Sequence, residues 1–312
     1  MTIRIASAFA PATVGNVGVG FDILGHAFPA LGDCVRAERV SQPGVRIASI
    51  TGVDCELPAE AERNTGGKAV LSLAETLRLS FGIELAIEKG IPIGSGLGGS
   101  AASAVAAVVA ANQLLDPPLP RADLLPHAIQ GEAVASGSRH ADNVAPSLFG
   151  GLVLTVGIDH PRIKRIRVPP SLRCVLVHPH LNLPTRDSRA VLSPTVSLSD
   201  FVWQTANLAG FLAGCYSNDL ALLREALQDV LIEPQRARLI PGFERVKQAA
   251  MAGGALGCSI SGAGPSVFAW CEAGSANLIG TVIAKAFEEH GLPSDRWIAA
   301  IDGEGARVLE SR

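Results

Sequence analysis

Between residues 83 and 115 the chain runs from a strand-like stretch, through a loop half made of glycine, straight into a helix made largely of alanine. Ile83–Lys89 alternates apolar and polar positions, Gly90–Gly99 holds five glycines, and Ser100–Leu115 is closed by Asp116-Pro117-Pro118. Glycine is costly inside helices and strands, so a folded chain concentrates it where backbone must turn sharply or come close to something. Bare amides in such a loop, with the positive end of a helix behind them, suit a phosphate. No lysine precedes Ser100, so the Gly-Lys-Ser/Thr phosphate loop is excluded. Gly94, Gly96 and Gly99 fit Gly-x-Gly-x-x-Gly, yet Pro92 interrupts the entry. The acid a dinucleotide fold wants about 20 residues on is represented only by Asp116, in a proline-rich turn. Nucleotide phosphate is the favoured ligand. A nicotinamide or flavin site and a loop that serves close helix packing alone are the alternatives.

Glycine is abundant elsewhere too, at 33 of 312 residues, against 48% hydrophobic and 18% charged residues. Few charges with many apolar residues exclude a disordered chain. A net charge of −3 argues against a general binder of nucleic acid or anionic membranes. The apolar stretch Ala101–Ala111 is too short for the ~20 residues of a membrane span, and Met1–Ile5 lacks the pattern of a signal peptide. Cysteines 34, 55, 174, 215, 258 and 271 form no Cys-x-x-Cys pair and several sit in apolar runs, which reads as buried reduced thiols in a cytoplasmic protein.

Strands are expected at 3–9, 33–40, 44–50, 83–89, 151–157, 163–168, 173–178, 256–260, 266–271 and 296–302. Helices are expected from Asn64 or Thr65 to about Phe81 with Gly82 as the stop, then at 100–115, 121–135, 200–215, 218–231, 242–253 and 275–290. Pro11–Asp22 is too glycine-rich for a regular element. Strands and helices alternate without a strict βαβ rhythm, which favours an α+β protein. Pro169-Pro170 marks a seam between residues 1–168 and 169–312.

Other segments are ambiguous taken singly. Ser259–Ser266 is a second small-residue loop, either a tight hairpin or backbone packed beside a nucleotide. Ser138, Arg139, His140, Asp142 and Asn143 crowd one loop, although a lone loop histidine is more often structural. Glu132, on the preceding helix, reads alone as a surface carboxylate, but with a hydroxyl such as Ser100 it could hold Mg²⁺. Arg186, Arg189 and Arg236 suit capture of a carboxylate, though each alone reads as solvated. Arg162–Arg167 looks like an exposed strand face. His178-Pro179-His180 lacks a third metal ligand.

Together the segments resemble the GHMP kinases, a family of small-molecule kinases. Pro11–Asp22, Pro92–Ala102 and Ser261–Pro265 carry the likeness, in the family's order and spacing. Within the family the chain is most similar to the homoserine kinases. That finer likeness rests on Asn16 with Gly20-Phe21-Asp22, His140–Pro146, Glu233-Pro234, Leu239–Phe243 and Gly305–Val308.

The resemblance implies an α+β kinase with two lobes: an N-terminal ATP-binding lobe like ribosomal protein S5 and a ferredoxin-like C-terminal lobe. It would move the γ-phosphoryl of ATP to the hydroxyl of L-homoserine, a step of threonine synthesis. The resemblance places Pro92, Ile93, Gly94, Ser95, Gly96, Leu97, Gly98, Gly99, Ser100, Ala101 and Ala102 around the ATP phosphates and Asn64 near the adenine. It assigns Ser100 and Glu132 to Mg²⁺, and Asn16, Asp22, His140, Thr185, Arg189 and Arg236 to the amino acid. Asn143 and Glu132 are its catalytic positions, Asn143 falling where mevalonate kinases have an aspartate. It implies no nucleic-acid or membrane partner and an assembly of two copies. A kinase for another small alcohol, or a nucleotide sensor without catalysis, is the alternative. Three positions depart from the common motifs: Gly15 before Asn16, Gly99 for a frequent serine, and Ala263 for a serine.

Overall fold

The computed structural model describes residues 3–53, 56–137, 140–157 and 161–312. Cys55, Ser138 and Arg139 of the segments above, and Met1-Thr2, lie outside the described residues. The first strand, β1 (Ile5–Gly15), is longer than the sequence suggests, and so is its hairpin partner β2 (Leu24–Val40). Glycine is tolerated here because Ala12–Gly15 pairs with Gly25–Phe28, so ladder bonds hold what side chains do not. Residues 16–23 alone form the turn. There follow β3 (Gly44–Thr51), α1 (Thr65–Leu77), β4 (Gly82–Glu88), α2 (Gly99–Asn112), α3 (Arg121–Ser136), a short α4 (Val144–Phe149), β5 (Leu152–Val156) and β6 (Arg162–Ile166).

Asn64 caps α1, its side chain accepting from the Gly67 N–H at 3.1 Å. Gly82 does not end that helix. Arg78 does, in the left-handed conformation at φ 50°, and Gly82 begins β4. α2 is apolar on every side and buried throughout from Ala101 to Asn112, as a helix hydrophobic all round must be. It is packed between β1 and β2 on one side and α1 and α3 on the other. Alanine lets three neighbours approach one helix at once.

β7 (Leu172–Pro179) opens a second sheet, followed by α5 (Thr185–Ala190), α6 (Leu198–Ser217), α7 (Leu220–Ala226), α8 (Glu233–Arg236), α9 (Phe243–Ala252), β8 (Gly257–Ile260), β9 (Val267–Glu272), α10 (Ala276–Glu288), β10 (Ser294–Ala300) and β11 (Arg307–Ser311). The helix expected over 218–231 stops at Ala226. The Asp229 carboxylate takes the N–H groups of Leu231, Ile232 and Glu233, each at 2.9 Å, and so bends the chain into α8.

The first sheet has the order β11-β1-β2-β4-β3, with β5 on β2 and β6 on β5. The second is antiparallel in the order β10-β7-β9-β8, with α9 and α10 on one face. Counted within that lobe the order is 4-1-3-2 in a βαββαβ frame, the ferredoxin-like arrangement. β11 returns the chain to the first sheet beside β1, although it ends the sequence. Where the sheets meet, Trp270 is fully buried between Phe211, ring centroids 5.2 Å apart, and His26, to which its indole donates at 3.3 Å. Four of the five described cysteines are buried and Cys34 is half-buried; all five are free thiols.

Candidate active site

A cleft of about 560 Å³ runs between the lobes, and the glycine loop forms its floor. Four successive loop carbonyls face protein donors. Gly94 O accepts from Leu183 N at 3.1 Å, Ser95 O from Ser266 N at 3.2 Å, Gly96 O from Ser261 Oγ at 2.9 Å, and Leu97 O from Thr13 N at 3.0 Å. With its carbonyls bonded inward, the loop has N–H groups left for the cleft. Behind it α2 begins after Gly98, an N-cap without a side chain, so first-turn N–H groups are open to an anion.

The glycines are there for a more specific reason than proximity to phosphate. Gly94, Gly96 and Gly98 sit at φ between 65° and 75°. A Cβ at Gly96 would press on the Ser261 and Gly264 carbonyls at 2.5 and 2.6 Å. The loop is left-handed at alternate residues and fits against the Ser261–Gly264 loop of the other lobe. Of the residues placed around ATP, Ala101 and Ala102 do not line the cleft. Their methyls are in the core, and Ala102 N–H is already bonded to Gly98 O.

Ser100 on α2 and Glu132 on α3 meet across the cleft, and Glu132 is no surface carboxylate. Burial pushes its carboxyl up to about 7, and Asp142 adds to the rise; a hydrogen bond with Ser100 and the charge of Lys89 oppose it. Asp142 is likewise raised to about 7, by burial and then by Asp22. Its neighbour Asn143 has its amide fixed, Oδ1 accepting from Thr13 Oγ1 at 2.7 Å and Nδ2 donating to Asp142 Oδ2 at 3.0 Å. Gly15 is the reason they fit. A Cβ there would lie 2.8 Å from both Asn143 Nδ2 and Asp142 Oδ2.

The far wall carries the charges. Asn16 and Asp22 both have positive φ, at 67° and 62°, conformations costly outside glycine and held here by the surrounding structure. Asn16 donates to Gly262 O at 2.8 Å and accepts from Asp22 N at 3.0 Å. Asp22 receives Arg189 through two bonds, of 2.7 and 3.1 Å, and His140 Nε2 lies 3.5 Å away. Burial lowers the pKa of His140 despite Asp22. Arg236 donates to Ser188 O and Gly262 O and lies 5.2 Å from the Phe21 ring, with Arg189 at 5.5 Å. Burial, with Arg189 nearby, brings Arg236 down to about 10.

Short helices aim these arginines. Ser188 of α5 donates to Ala263 O at 2.8 Å, docking α5 on the small-residue loop, and Asp229 starts α8. Thr185, at the start of α5, lines the cleft. Asn64 lines it too, but its side chain is engaged as a cap and to Pro58 O; Ile50, Leu57, Pro58 and Ile87 make that end apolar.

Sequence reasoning missed Lys89 and Asn182, and it named Phe21 and Asp142 only as parts of motifs, without a role in the site. Lys89 is buried, pairs with Asp33, and donates to Gly99 O and Ser103 Oγ, both at 2.8 Å. Asp33 in turn accepts from Gly90 N and Ile91 N, pinning the loop's entry. A single lysine ending an alternating strand gave no signal. His178 and His180 go to Ser266 and Asp295, and among the described residues no group of three or more metal-ligating side chains forms.

Comparison with known proteins agrees with this geometry. The model for the GHMP kinases N terminal domain matches residues 64–151, and that for GHMP kinases C terminal matches 211–289. The chain is 52% identical over 308 residues to the homoserine kinase of Xanthomonas campestris pv. campestris (strain B100), covering 98% of this chain and 95% of that one. It is 42% identical to that of Chlorobaculum tepidum, covering 99% of each. The crystal structure of homoserine kinase from Cytophaga hutchinsonii superposes with a TM-score of 0.95 at 45% identity, over 98% of each chain. With loop, lobes and charged wall in place and likeness along nearly its whole length, this chain belongs to the GHMP kinase family, in its homoserine kinase group.

Proposed function

We infer that the cleft transfers the γ-phosphoryl of ATP to the side-chain hydroxyl of L-homoserine, giving O-phospho-L-homoserine and ADP in a cytoplasmic route to threonine. The observation that carries the reading is the charged wall. Asp22 stands with Arg189 and Arg236 around Phe21, opposite a floor of glycine amides. A zwitterion needs an acid for its ammonium and a guanidinium for its carboxylate. Arg236 has only carbonyl partners among its hydrogen bonds in the described residues, so it is the arginine ready for an incoming carboxylate.

The triphosphate lies along Pro92–Ser100 with the base toward Ile50, Pro58 and Asn64. Ser100 and Glu132 fit Mg²⁺, being a hydroxyl and a carboxylate facing each other at the loop's helical end, and they would hold it. Mg²⁺ bound there neutralises charge on the phosphates. The homoserine oxygen forms the new bond to the γ-phosphorus as the bond from that phosphorus to the β-γ bridging oxygen breaks; ADP leaves with the bridging oxygen, and the hydroxyl proton passes to an oxygen of the transferred phosphoryl group and then to solvent. Asn143, fixed by Thr13 and Asp142, orients the hydroxyl, and a loose transfer of this kind rests on positioning and charge more than on a strong base.

ADP release measured with homoserine, mevalonate, galactose and shikimate tests the reading. Turnover at least tenfold more efficient with homoserine supports it. Equal turnover with another alcohol overturns the substrate while leaving the kinase, and nucleotide binding without turnover overturns both.

A further inference from the structure

Beneath the glycine loop lies a buried ion pair that is no part of the charged wall. Asp33 of β2 is fully buried, and Lys89, the residue after β4, is nearly so. An ammonium has three N–H donors, and those of Lys89 go to Asp33 Oδ2, to Gly99 O at 2.8 Å and to Ser103 Oγ at 2.8 Å. Ser103 donates in turn to Asp33 Oδ2 at 2.7 Å, while Asp33 Oδ1 accepts from Gly90 N at 3.0 Å and Ile91 N at 3.2 Å. The entry of the loop and the first turn of α2 are thus bonded to one carboxylate and its counter-ion.

We propose that Asp33 is a positioning residue for the nucleotide: with Lys89 it fixes the two ends of the glycine loop at the separation that aims the loop's N–H groups at the phosphates. The proposal rests on the ATP reading of the cleft. Lys89 borders that cleft, and a lysine beside phosphates ordinarily serves them as a point charge. Its contacts give it another task. Asp33 cancels its charge at contact, and turning an N–H toward a ligand would leave a buried acceptor such as Gly99 O unpaired. Lys89 ties the loop down, and the loop's amides meet the nucleotide.

A buried ion pair is a poor source of net stability, because desolvation offsets much of its attraction. What it supplies here is direction. The middle of the loop is fixed from the other lobe, by Leu183, Ser261 and Ser266. Its ends are tied from within the first lobe, by Asp33 and Lys89. Entry and strand are also pressed together, since a Cβ at Gly90 would lie 2.2 Å from Gly32 O, the residue before Asp33. Glycine backbone has many shapes open to it, so tied ends keep the N–H groups convergent before a ligand arrives, and such preorganisation acts on affinity. The hydrogen bonds of Asp33, Lys89 and Ser103 run to the loop, to α2 and to one another, away from the homoserine wall.

Calorimetric titration with ATP and Mg²⁺, steady-state kinetics and melting temperature on three variants test it. Asp33→Asn leaves Lys89 buried without its counter-charge, and is expected to melt lower and bind ATP about tenfold more weakly. Asp33→Asn combined with Lys89→Met keeps the shape of both side chains and removes both charges. It is expected to melt above Asp33→Asn alone, yet to bind ATP still about fivefold more weakly than wild type, since Gly99 O has lost its tie. Ser103→Ala removes one bridge with little change of volume, and is expected to fold and to weaken ATP by about threefold. KM for homoserine should stay within about twofold in all three. The proposal is overturned by wild-type ATP affinity in the paired variant or in Ser103→Ala, by an equal rise in both KM values, or by a fall in kcat with ATP affinity intact. A wild-type chain that does not bind ATP overturns the reading of the cleft as well, so the two failures are told apart.

Discussion

Arg189 meets Asp22 through paired hydrogen bonds of 2.7 and 3.1 Å, although 167 residues separate them in the chain. Against the burial that would lower it, the bond and charge of Asp22 raise the pKa of Arg189. The two groups suited to the opposite ends of an amino acid are thus held against each other, with Arg236 beside them on the same aromatic ring.

Arg189→Ala and Arg236→Ala are expected to raise KM for homoserine by about 10- to 100-fold, the worth of a charge-assisted bond of roughly 1.5–3 kcal/mol. KM for ATP should stay within about twofold, since neither arginine touches the glycine loop. Steady-state kinetics with each substrate varied decides it. An equal rise in both constants would make the arginines structural supports of the cleft.

Glu132 and Asp142 are carboxyls whose folded pKa of about 7 lies above their unfolded values. They prefer to be neutral in the folded chain, and their stabilising contribution is present at acid pH and lost as pH rises through 7. A metal needs the ionised form of Glu132. Affinity for Mg²⁺ in the presence of ATP is therefore expected to fall by roughly tenfold from pH 8 to pH 6. Glu132→Gln should bind Mg²⁺ weakly at both pH values, so titrations of Mg²⁺ on the two proteins separate this effect from any general pH dependence.

His26 shows the opposite sign. Burial takes it down to about 4, and its neutral ring accepts from Trp270 while its other nitrogen bonds Ala27 O. The unfolded chain binds the proton more readily, so stability is full above about pH 6.5 and is lost as pH falls toward 4, by about 3 kcal/mol. His178, also near 4, acts in the same direction. His26→Gln is expected to be less stable at pH 7 but with a flatter decline to pH 4, read by urea unfolding at several pH values.

Gly96→Ala should destabilise the protein by about 3 kcal/mol or more, through its positive φ and contact with two backbone carbonyls, and should raise KM for ATP. Gly99→Ser is the contrasting case. Gly99 is helical, and a Cβ there comes no nearer than 3.3 Å to Ile91. Near-unchanged melting temperature and ATP kinetics are expected for it.

Much of this molecule was legible in its sequence because the signals are local. A glycine run between a strand and an alanine helix specifies a phosphate-type loop, since both the backbone freedom and the helix end are properties of adjacent residues. The cap at Asn64 and the alternation of Ile83–Glu88 are equally local. What tertiary structure decided is everything that depends on packing between distant segments. α4, α5 and α8, of six residues or fewer, are too short for a hydrophobic period, and they are set by docking and by the Asp229 carboxylate. β11 has no buried face to pattern it and is held by its ladder with β1. Lys89, and Glu132 when read apart from the family resemblance, look like surface charges in the sequence, and it is burial against other elements that sets them in the site. The sequence determined that backbone would approach a ligand. The meeting of two lobes decided which charges face it, because the pairing of Asp22 with Arg189 and the burial that shifts Glu132 and Asp142 exist only once those lobes are packed.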